Sequence, residues 1–281
     1  MFPYDLQIHT NQSDGDYSLD TVIQKAKRAK LKGVVITDHN VAGTIDANIQ
    51  AATAAGLSTC GGVEISAKFG GIEVHVLGYA RAFARGVLER GLAKTLTGYN
   101  VRSQAMVAKI NRSGLAHLSF TKIRRRKGSG TCVVKYDIAQ VLGPLIHRAP
   151  RDAQRLLDRG GPFFIPYGTW AMSPTQAVRL IHRAGGIAVI SHPGETQRKM
   201  GSINFRKLFA AVRQVGIDGL EVNSSKHSRA ERAQFATLAR QYQLVVTGGS
   251  DWHGEGHHPE IALGSGGLTE RQFKAFIKHL E

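Results

Sequence analysis

The sequence predicts an α/β fold, a barrel of parallel strands that is interrupted by a helical insertion. Short apolar runs alternate with amphipathic helical segments before residue 81 and after residue 161, which is the order of elements in a parallel α/β fold. Several of the apolar runs end in His, Asp or Glu. Functional side chains at successive strand ends are typical of such a barrel, since its active site gathers there.

The first predicted strand carries a polar face. Asp5, Gln7 and His9 alternate with apolar residues, so they lie on one side of a strand. A polar face is poor core material, and it indicates that this side of the strand borders a site that holds a charged group. The polar segment 11–15 that follows is predicted to be a tight turn.

The elements up to residue 80 follow in a regular order. Ser18 is the predicted N-cap of an amphipathic helix that Gly33 ends. Gly70-Gly71 is a two-residue turn signal and predicts a hairpin. We expect helices over 18–32 and 44–55, and strands over 34–37, 57–66 and 72–79.

Residues 81–161 are predicted to form an inserted, basic and mainly helical subdomain, while 1–80 and 162–281 together form the barrel. Within the insertion we expect one or two helices over 81–113 and a charged loop over 121–130. We also expect helical structure over 136–159 with a break near Gly143-Pro144.

After the insertion the alternation of strand and helix resumes. Ser173 is the predicted cap of a helix whose first residue is Pro174, and Thr269 caps the last helix. We expect strands over 186–190, 219–222 and 244–247, and a helix over 229–242.

The composition predicts a cytoplasmic protein, which we expect to be monomeric. Hydrophobic residues make up 42% of the chain, and no run approaches the ~20 apolar residues of a membrane-spanning helix. The N-terminus lacks the basic and apolar regions of a signal peptide. Only Cys60 and Cys132 occur, and they match no zinc or redox spacing, so reduced thiols are expected.

The formal net charge is +16, and most of the excess lies in the insertion. Residues 81–160 hold 17 Lys or Arg against 4 Asp or Glu. A clustered basic segment indicates a polyanionic partner, most often nucleic acid. The alternative is a basic surface that is merely solvated, because charge alone is an unspecific signal.

Histidines and carboxylates at the predicted strand ends indicate a metal centre. The histidines are His9, His39, His75, His192 and His253, and the carboxylates are Asp14, Asp38, Glu64 and Asp251. Imidazole and carboxylate together suit Zn²⁺, Mn²⁺ or Fe²⁺. A serine hydrolase is the competing interpretation, and the absence of a Gly-x-Ser-x-Gly motif argues against it.

The ordered motifs resemble those of the polymerase-and-histidinol-phosphatase (PHP) family of metal-dependent phosphoesterases. The matching segments are Gln7-x-His9 with Ser13-Asp14-Gly15, Thr37-Asp38-His39, Gly62-Val63-Glu64 with His75, Ser191-His192-Pro193-Gly194 and Gly249-Ser250-Asp251-Trp252-His253. The resemblance covers residues 5–79 and 166–253, and it implies a distorted (β/α)₇ barrel of the PHP type. The insertion resembles that of the subgroup that dephosphorylates nucleoside 3′,5′-bisphosphates or trims RNA from its 5′ end.

The resemblance implies two or three divalent ions, with Mn²⁺ expected first and Zn²⁺ or Fe²⁺ as alternatives. The implied ligand sets are Glu64, His75 and His192 for one ion; Asp14, His39 and His253 for a second; and Gln7, His9, Glu64 and Asp251 for a third. The family has His where this chain has Gln7, and an amide oxygen is a weaker donor toward a transition metal. We therefore expect a weakened third site. Asp38 is expected to orient His39 or His9 rather than bind metal.

The predicted activity is hydrolysis of phosphate esters in nucleotides, either nucleoside bisphosphates or monophosphates, or at the 5′ end of short RNA. The residues expected to carry catalysis are Asp14, His39, Glu64, His192, Asp251 and His253. The residues expected to contact substrate are Arg102, Asn223, Lys226 and His227. The alternative hypothesis is a nucleic-acid-binding module with weak or no catalysis.

Overall fold

Seven strands and eleven helices make up the computed structural model, which describes residues 1–281. The strands are β1 (Tyr4–Ile8), β2 (Gly33–Ile36), β3 (Gly61–Phe69), β4 (Ile72–Ala80), β5 (Ile187–Ile190), β6 (Gly219–Glu221) and β7 (Val245–Thr247). The helices are α1 (Leu19–Arg28), α2 (Ile45–Ala54), α3 (Arg85–Ser113), α4 (Phe120–Arg125), α5 (Lys135–Leu145), α6 (Pro150–Arg155), α7 (Pro174–Arg183), α8 (Pro193–Met200), α9 (Ser202–Arg213), α10 (Arg229–Gln241) and α11 (Glu270–Lys278). This is a mixed α/β fold, as predicted.

The strands form two sheets rather than one continuous barrel. β1 and β2 pair in parallel, and the second sheet has the order β3-β4-β5-β6-β7. β4 runs antiparallel to both β3 and β5, whereas β5, β6 and β7 are parallel. The predicted hairpin is confirmed, since the chain reverses at Gly70-Gly71, where both residues have positive φ, and it makes the second sheet mixed rather than wholly parallel.

Single bridges join the two sheets on both sides. The peptide groups of His39 and Glu64 pair between the chain after β2 and β3. On the other side, Ile8 of β1 pairs with Trp252, which follows β7, and Tyr4 pairs with Leu268. β1 is thus held between β2 and a segment some 240 residues later in the chain.

Local sequence signals set the helix boundaries. The Ser18 and Ser173 side chains each accept a hydrogen bond from a backbone N–H in the first turn of their helices, and Thr269 does the same for α11. Such caps satisfy N–H groups that have no partner inside the helix. The predicted loop 121–130 is helical in its first half, because Ser119 caps the short α4.

The insertion has a hydrophobic cluster of its own. Twelve buried residues between Met106 and Phe163 pack together there. Leu88 and Leu92, in the first turns of α3, belong instead to the larger cluster that β3, β4 and β5 share with the outer helices. The helix α3 therefore links the two cores. None of the helices combines the length and the apolar character that a membrane-spanning helix needs.

Candidate metal centre and adjoining cleft

The predicted metal ligands meet where the strands end. Side chains from β3 and β4 and from the segments after β1, β2, β5 and β7 point into one buried space. The candidate ligands form three groups, and within each group the ligand atoms lie within 4.8 Å of one another. The groups are His9, Asp14, His39 and His253; His39, Glu64 and His75; and His9, Glu64 and Asp251.

Glu64 lies at the centre of this space and is fully buried. Its Oε2 is 3.0 Å from His9 Nε2 and 3.5 Å from His39 Nδ1. Its Oε1 is 3.1 Å from His75 Nδ1 and 3.4 Å from His192 Nε2. Each oxygen thus faces two imidazoles, so either oxygen of this carboxylate could take part in holding an ion.

Asp14 faces a second set of imidazoles. Its carboxylate oxygens are 3.3 Å from His253 Nε2, 3.7 Å from His9 Nδ1 and 3.8 Å from His39 Nε2. Burial alone would raise the pKa of this carboxyl group, but the neighbouring His253 and His39 outweigh it and hold the pKa well below its usual range. Burial lowers the pKa of His39 to about 4, so at neutral pH its imidazole is neutral, the form that binds metal.

Two residues of the centre have unusual backbone conformations. His192 has φ 25° and Asp251 has φ 55°, in the left-handed region that side chains other than glycine seldom adopt. Such a conformation costs of order 1–3 kcal/mol and persists where the surroundings enforce it. The His192 N–H donates to Glu221 Oε2 at 2.7 Å, and the Asp251 N–H donates to the carbonyl oxygen of Gln7 at 2.9 Å. These bonds fix the direction of both side chains.

The donor set fits divalent ions. Six buried polar atoms of the centre have no hydrogen-bond partner: Gln7 Oε1, His9 Nε2, Asp14 Oδ1, His39 Nδ1, Glu64 Oε2 and His192 Nδ1. Each unsatisfied buried polar atom costs about 1–3 kcal/mol, so six in one place indicate a ligand that supplies positive charge. Nitrogen and oxygen donors together match borderline transition metals.

Gln7 differs from the prediction. Its amide nitrogen, not its oxygen, faces the carboxylates, and it donates to Glu64 Oε1 at 3.0 Å, Ser191 Oγ at 3.1 Å and Asp251 Oδ1 at 3.1 Å. The reason is electrostatic: two carboxylate oxygens attract the amino end of the amide and repel its carbonyl end.

Asp38 stabilises the loop that carries Asp14. Its carboxylate accepts hydrogen bonds from the backbone and hydroxyl groups of Thr10 at 2.7 and 2.6 Å and from Ser13 Oγ at 2.6 Å. Asp38 makes no direct hydrogen bond to His39 or His9, but Ser13 Oγ, which donates to Asp38, lies 3.4 Å from His9 Nδ1, so any orienting effect of Asp38 on His9 acts through Ser13.

A cleft of about 890 Å³ adjoins the metal centre. Six cationic side chains line it: Arg102, Lys135, Arg159, Arg198, Lys199 and Lys226. Four of them, Arg102, Lys135, Lys199 and Lys226, also line the smaller cavity that contains the metal-centre residues. Four carboxylates, those of Glu73, Asp158, Glu195 and Glu260, line the cleft as well, so its charge is mixed with an excess of cations, which favours a negatively charged molecule beside the centre.

Arg102 is held rigidly at the junction of cleft and centre. Its Nε donates to the carbonyl oxygen of Ile165 at 2.8 Å, and its guanidinium group lies 4.1 Å over the Tyr167 ring. Its Nη2 is buried and has no hydrogen-bond partner. A buried guanidinium group with a free donor is a binding group for an anion.

The other three predicted substrate contacts differ from one another. Lys226 lines the cleft, with its Nζ 2.6 Å from Asp251 Oδ2 and 2.9 Å from Glu195 Oε2. His227 is buried, and its ring nitrogens bond to the Gly194 N–H and the Val222 carbonyl oxygen, which leaves no ring nitrogen for a substrate. Asn223 is not among the residues that line the cleft. The structure therefore argues against substrate contact by His227, and it places Asn223 outside the lining of the cleft.

The cations of the predicted basic loop differ in their exposure and contacts. Arg125 and Arg126 are exposed, whereas the Lys127 ammonium is buried and donates to the carbonyl oxygens of Asn11 and Ser13. It also pairs with Asp137 Oδ1 at 3.0 Å. The Lys127 ammonium is therefore not free to bind a polyanion, because it fastens the insertion to the loop before Asp14.

His257 was not predicted as a site residue, yet it borders the centre. Its ring stacks on Tyr136 of the insertion at 3.8 Å, and its Nδ1 lies 3.1 Å from the carbonyl oxygen of Asp14. Tyr136 also donates to Asp16 Oδ1 at 2.7 Å. The one sequence signal was the position of His257 four residues after the ligand His253.

Known proteins resemble the chain over most of its length. Residues 5–127 match the PHP domain. The 3′,5′-nucleoside bisphosphate phosphatase of Chromobacterium violaceum is 30% identical over 256 residues, which are 90% of this chain and 87% of that protein. The chain belongs to the PHP family.

Other PHP relatives act on different phosphate esters. A 5′-3′ exoribonuclease of Salmonella typhimurium is 29% identical over a match that spans 89% of this chain and 85% of the exoribonuclease. A phosphoribosyl 1,2-cyclic phosphate 1,2-diphosphodiesterase of Eggerthella lenta is 27% identical and covers 92% of this chain and 97% of its own. A crystal structure from Bifidobacterium adolescentis, described as a metal-dependent phosphoesterase, has a TM-score of 0.83, 25% identity and coverage of 98% of this chain and 95% of its own.

These likenesses establish the class of activity. The chain is a PHP metal-dependent phosphoesterase and thus a hydrolase. The alternative of a binding module without catalysis finds no support among these relatives.

Proposed function

We propose that this PHP protein hydrolyses phosphate monoesters of nucleotides, either nucleoside bisphosphates or monophosphates, or cleaves short RNA at its 5′-phosphorylated end. The observation that carries the proposal is the free, buried Nη2 of Arg102 beside the metal centre. A rigid guanidinium group there suits the phosphate of a nucleotide substrate, because it presents charge and directed donors together. The names of the relatives point to the same substrate class.

The proposed ion ligands follow the geometry of the centre. Glu64, His75 and His192 would hold one ion, and Asp14, His39 and His253 a second, with His9 and Asp251 beside both. When bound, divalent ions of this kind polarise phosphoryl oxygens and make a water nucleophilic near neutral pH. Mn²⁺ is the first candidate, and Zn²⁺ and Fe²⁺ are the alternatives. The six residues proposed to carry catalysis are Asp14, His39, Glu64, His192, Asp251 and His253.

The chain's own residues position the substrate. Arg102 would bind a phosphate through Nη2, while its stacking on Tyr167 keeps the guanidinium group in place. Lys226 would add positive charge at the floor of the cleft, next to Asp251. These charges are in place before the reaction begins. They then stabilise the negative charge that develops on the phosphoryl group in the transition state.

We also infer that the two sheets are halves of the distorted (β/α)₇ barrel of this family, and that 81–161 is a subdomain that covers its mouth. The single bridges at His39 and Ile8 support closure of the barrel. The separate cluster of twelve apolar residues supports the subdomain.

The test is a panel of substrates assayed with added Mn²⁺. Phosphate release is measured from a nucleoside 3′,5′-bisphosphate, a nucleoside 5′-monophosphate and a cyclic nucleotide, and shortening is measured for RNA oligomers with a 5′-phosphate or a 5′-hydroxyl. We expect turnover of the bisphosphate or of the 5′-phosphorylated RNA, and none of the 5′-hydroxyl RNA. Preference for the cyclic ester, or inactivity on every nucleotide, would overturn the proposal.

A further inference from the structure

We propose that this chain is built to hold two divalent ions rather than three, because the Gln7 amide donates to Glu64 and Asp251 and the Lys226 ammonium pairs with Asp251, so protein groups occupy oxygens that a third ion would need. The inference rests on the proposed function, since it concerns the same centre.

The first observation is that Asp251 is already satisfied by the protein. Its Oδ1 accepts from Gln7 Nε2 at 3.1 Å, and its Oδ2 lies 2.6 Å from Lys226 Nζ. Asp14 Oδ1, by contrast, has no hydrogen-bond partner. The group formed by His9, Glu64 and Asp251 is therefore the one whose aspartate has a protein donor on each oxygen.

The second observation concerns the orientation of the Gln7 amide. Its nitrogen has three acceptors within 3.1 Å, two of which are carboxylate oxygens. Gln7 Oε1 is buried without a partner, but an ion bound through it between Glu64 and Asp251 would require the amide to turn over and lose the hydrogen bonds of its two N–H groups. Hydrogen bonds to charged groups are the stronger class, so this rotation weakens binding of a third ion.

The third observation is the position of Lys226. Its ammonium is anchored between Asp251 and Glu195, so it cannot move away from an incoming cation without losing both partners. The ion pairs of Asp14 and Glu64 involve histidines alone. Asp251 is thus the carboxylate of the centre in direct contact with a fixed cation, so the repulsion is strongest for an ion that Asp251 would bind.

Metal content distinguishes donation by Gln7 from coordination by Gln7. Purified protein is equilibrated with defined free Mn²⁺, and ions per chain are counted by elemental mass spectrometry for the wild type, Gln7→Leu and Gln7→His. If Gln7 donates, the wild type and Gln7→Leu both hold two ions and Gln7→His holds three. The control Gln241→His adds an imidazole on an exposed helix end and is expected to leave the count at two.

Lys226→Met provides an independent measurement. Removing the ammonium is expected to tighten binding of a third Mn²⁺ about tenfold, the size of effect that groups touching metal ligands have. The inference is overturned if the wild type holds three ions, or if neither Gln7→His nor Lys226→Met binds a third ion more tightly than the wild type. A wild type that binds no ion at all would instead overturn the proposed function.

Discussion

Replacing Lys127 by Met is expected to destabilise the protein and to loosen the metal centre, although Lys127 lies in the insertion. The ammonium group contributes to three contacts: the carbonyl oxygens of Asn11 and Ser13 and the carboxylate of Asp137. Its side chain is only 4% exposed. Met fills a similar volume but leaves all three acceptors without this donor.

The magnitude follows from the burial of the pair. Removing one partner of a buried ion pair costs about 3–5 kcal/mol. Asp137 keeps a hydrogen bond from the Val134 N–H at 2.8 Å, and its side chain is 11% exposed, so the lower end applies. We expect a loss of about 3 kcal/mol in the free energy of unfolding, or roughly 5 °C in Tm for a chain of this length.

The loss should depend on pH in a defined direction. Burial raises the pKa of Asp137, and the Lys127 ammonium opposes that rise. Without the ammonium the pKa in the folded state rises further above that of the unfolded chain, so the added cost is present while the carboxyl group is ionised. It fades as the pH falls toward the unfolded-state value of about 3.9. The difference from the wild type should therefore shrink between pH 7 and pH 4.

Urea unfolding in EDTA measures this difference without a contribution from bound metal. Arg125→Met is the matched control, because Arg125 is an exposed cation two residues away and its replacement should change stability by less than about 0.5 kcal/mol. A second experiment, done with metal present, compares how firmly the wild type and Lys127→Met retain bound metal, because the loop that Lys127 fastens carries Asp14. Equal stability of Lys127→Met and Arg125→Met at pH 7 would refute the reasoning.

Three further predictions concern activity and binding. His192→Ala or Asp251→Ala should abolish phosphate release while circular dichroism stays unchanged, and activity equal to the wild type would remove these residues from the centre. Arg102→Leu should lower kcat/KM by roughly 10–100-fold through the lost charge-assisted hydrogen bond, with Arg102→Lys recovering only part, and an unchanged kcat/KM would show that no phosphate binds there. If the insertion neutralises about six phosphates, RNA affinity should fall roughly 10³-fold between 50 and 200 mM salt; Arg125→Gln with Arg126→Gln should flatten that dependence, and an unchanged slope would place the RNA elsewhere.

The gathering of the candidate ligands was predictable from the sequence because each belongs to a local pattern. His39 and His192 follow short apolar runs, and the rule that strand ends gather at one edge brings them together, whereas Glu64 and His75 lie inside β3 and β4 and reach the same space through the hairpin. Helix caps such as Ser173 are local in the same sense, and the structure confirms them.

What the sequence could not show depends on long-range contacts. Lys127 has the same sequence surroundings as its neighbour Arg126, and only the docking of the insertion onto residues 11–13 separates their roles. His227 looked like a free histidine at a strand end until its two hydrogen bonds were visible. The antiparallel pairing of β4 with β5 likewise joins residues more than 100 positions apart.

The position of β1 has a consequence for how the protein is made. One edge of β1 pairs with β2, but the other waits for the chain around Gly248 and Trp252. At a synthesis rate of 5–20 residues per second, that segment leaves the ribosome roughly 12–50 s after β1 does. During this interval the nascent chain presents an unpaired strand edge, a known liability for aggregation. The last ligands, Asp251 and His253, emerge with the same segment, so the full set of ligands can capture its ions only at the end of synthesis.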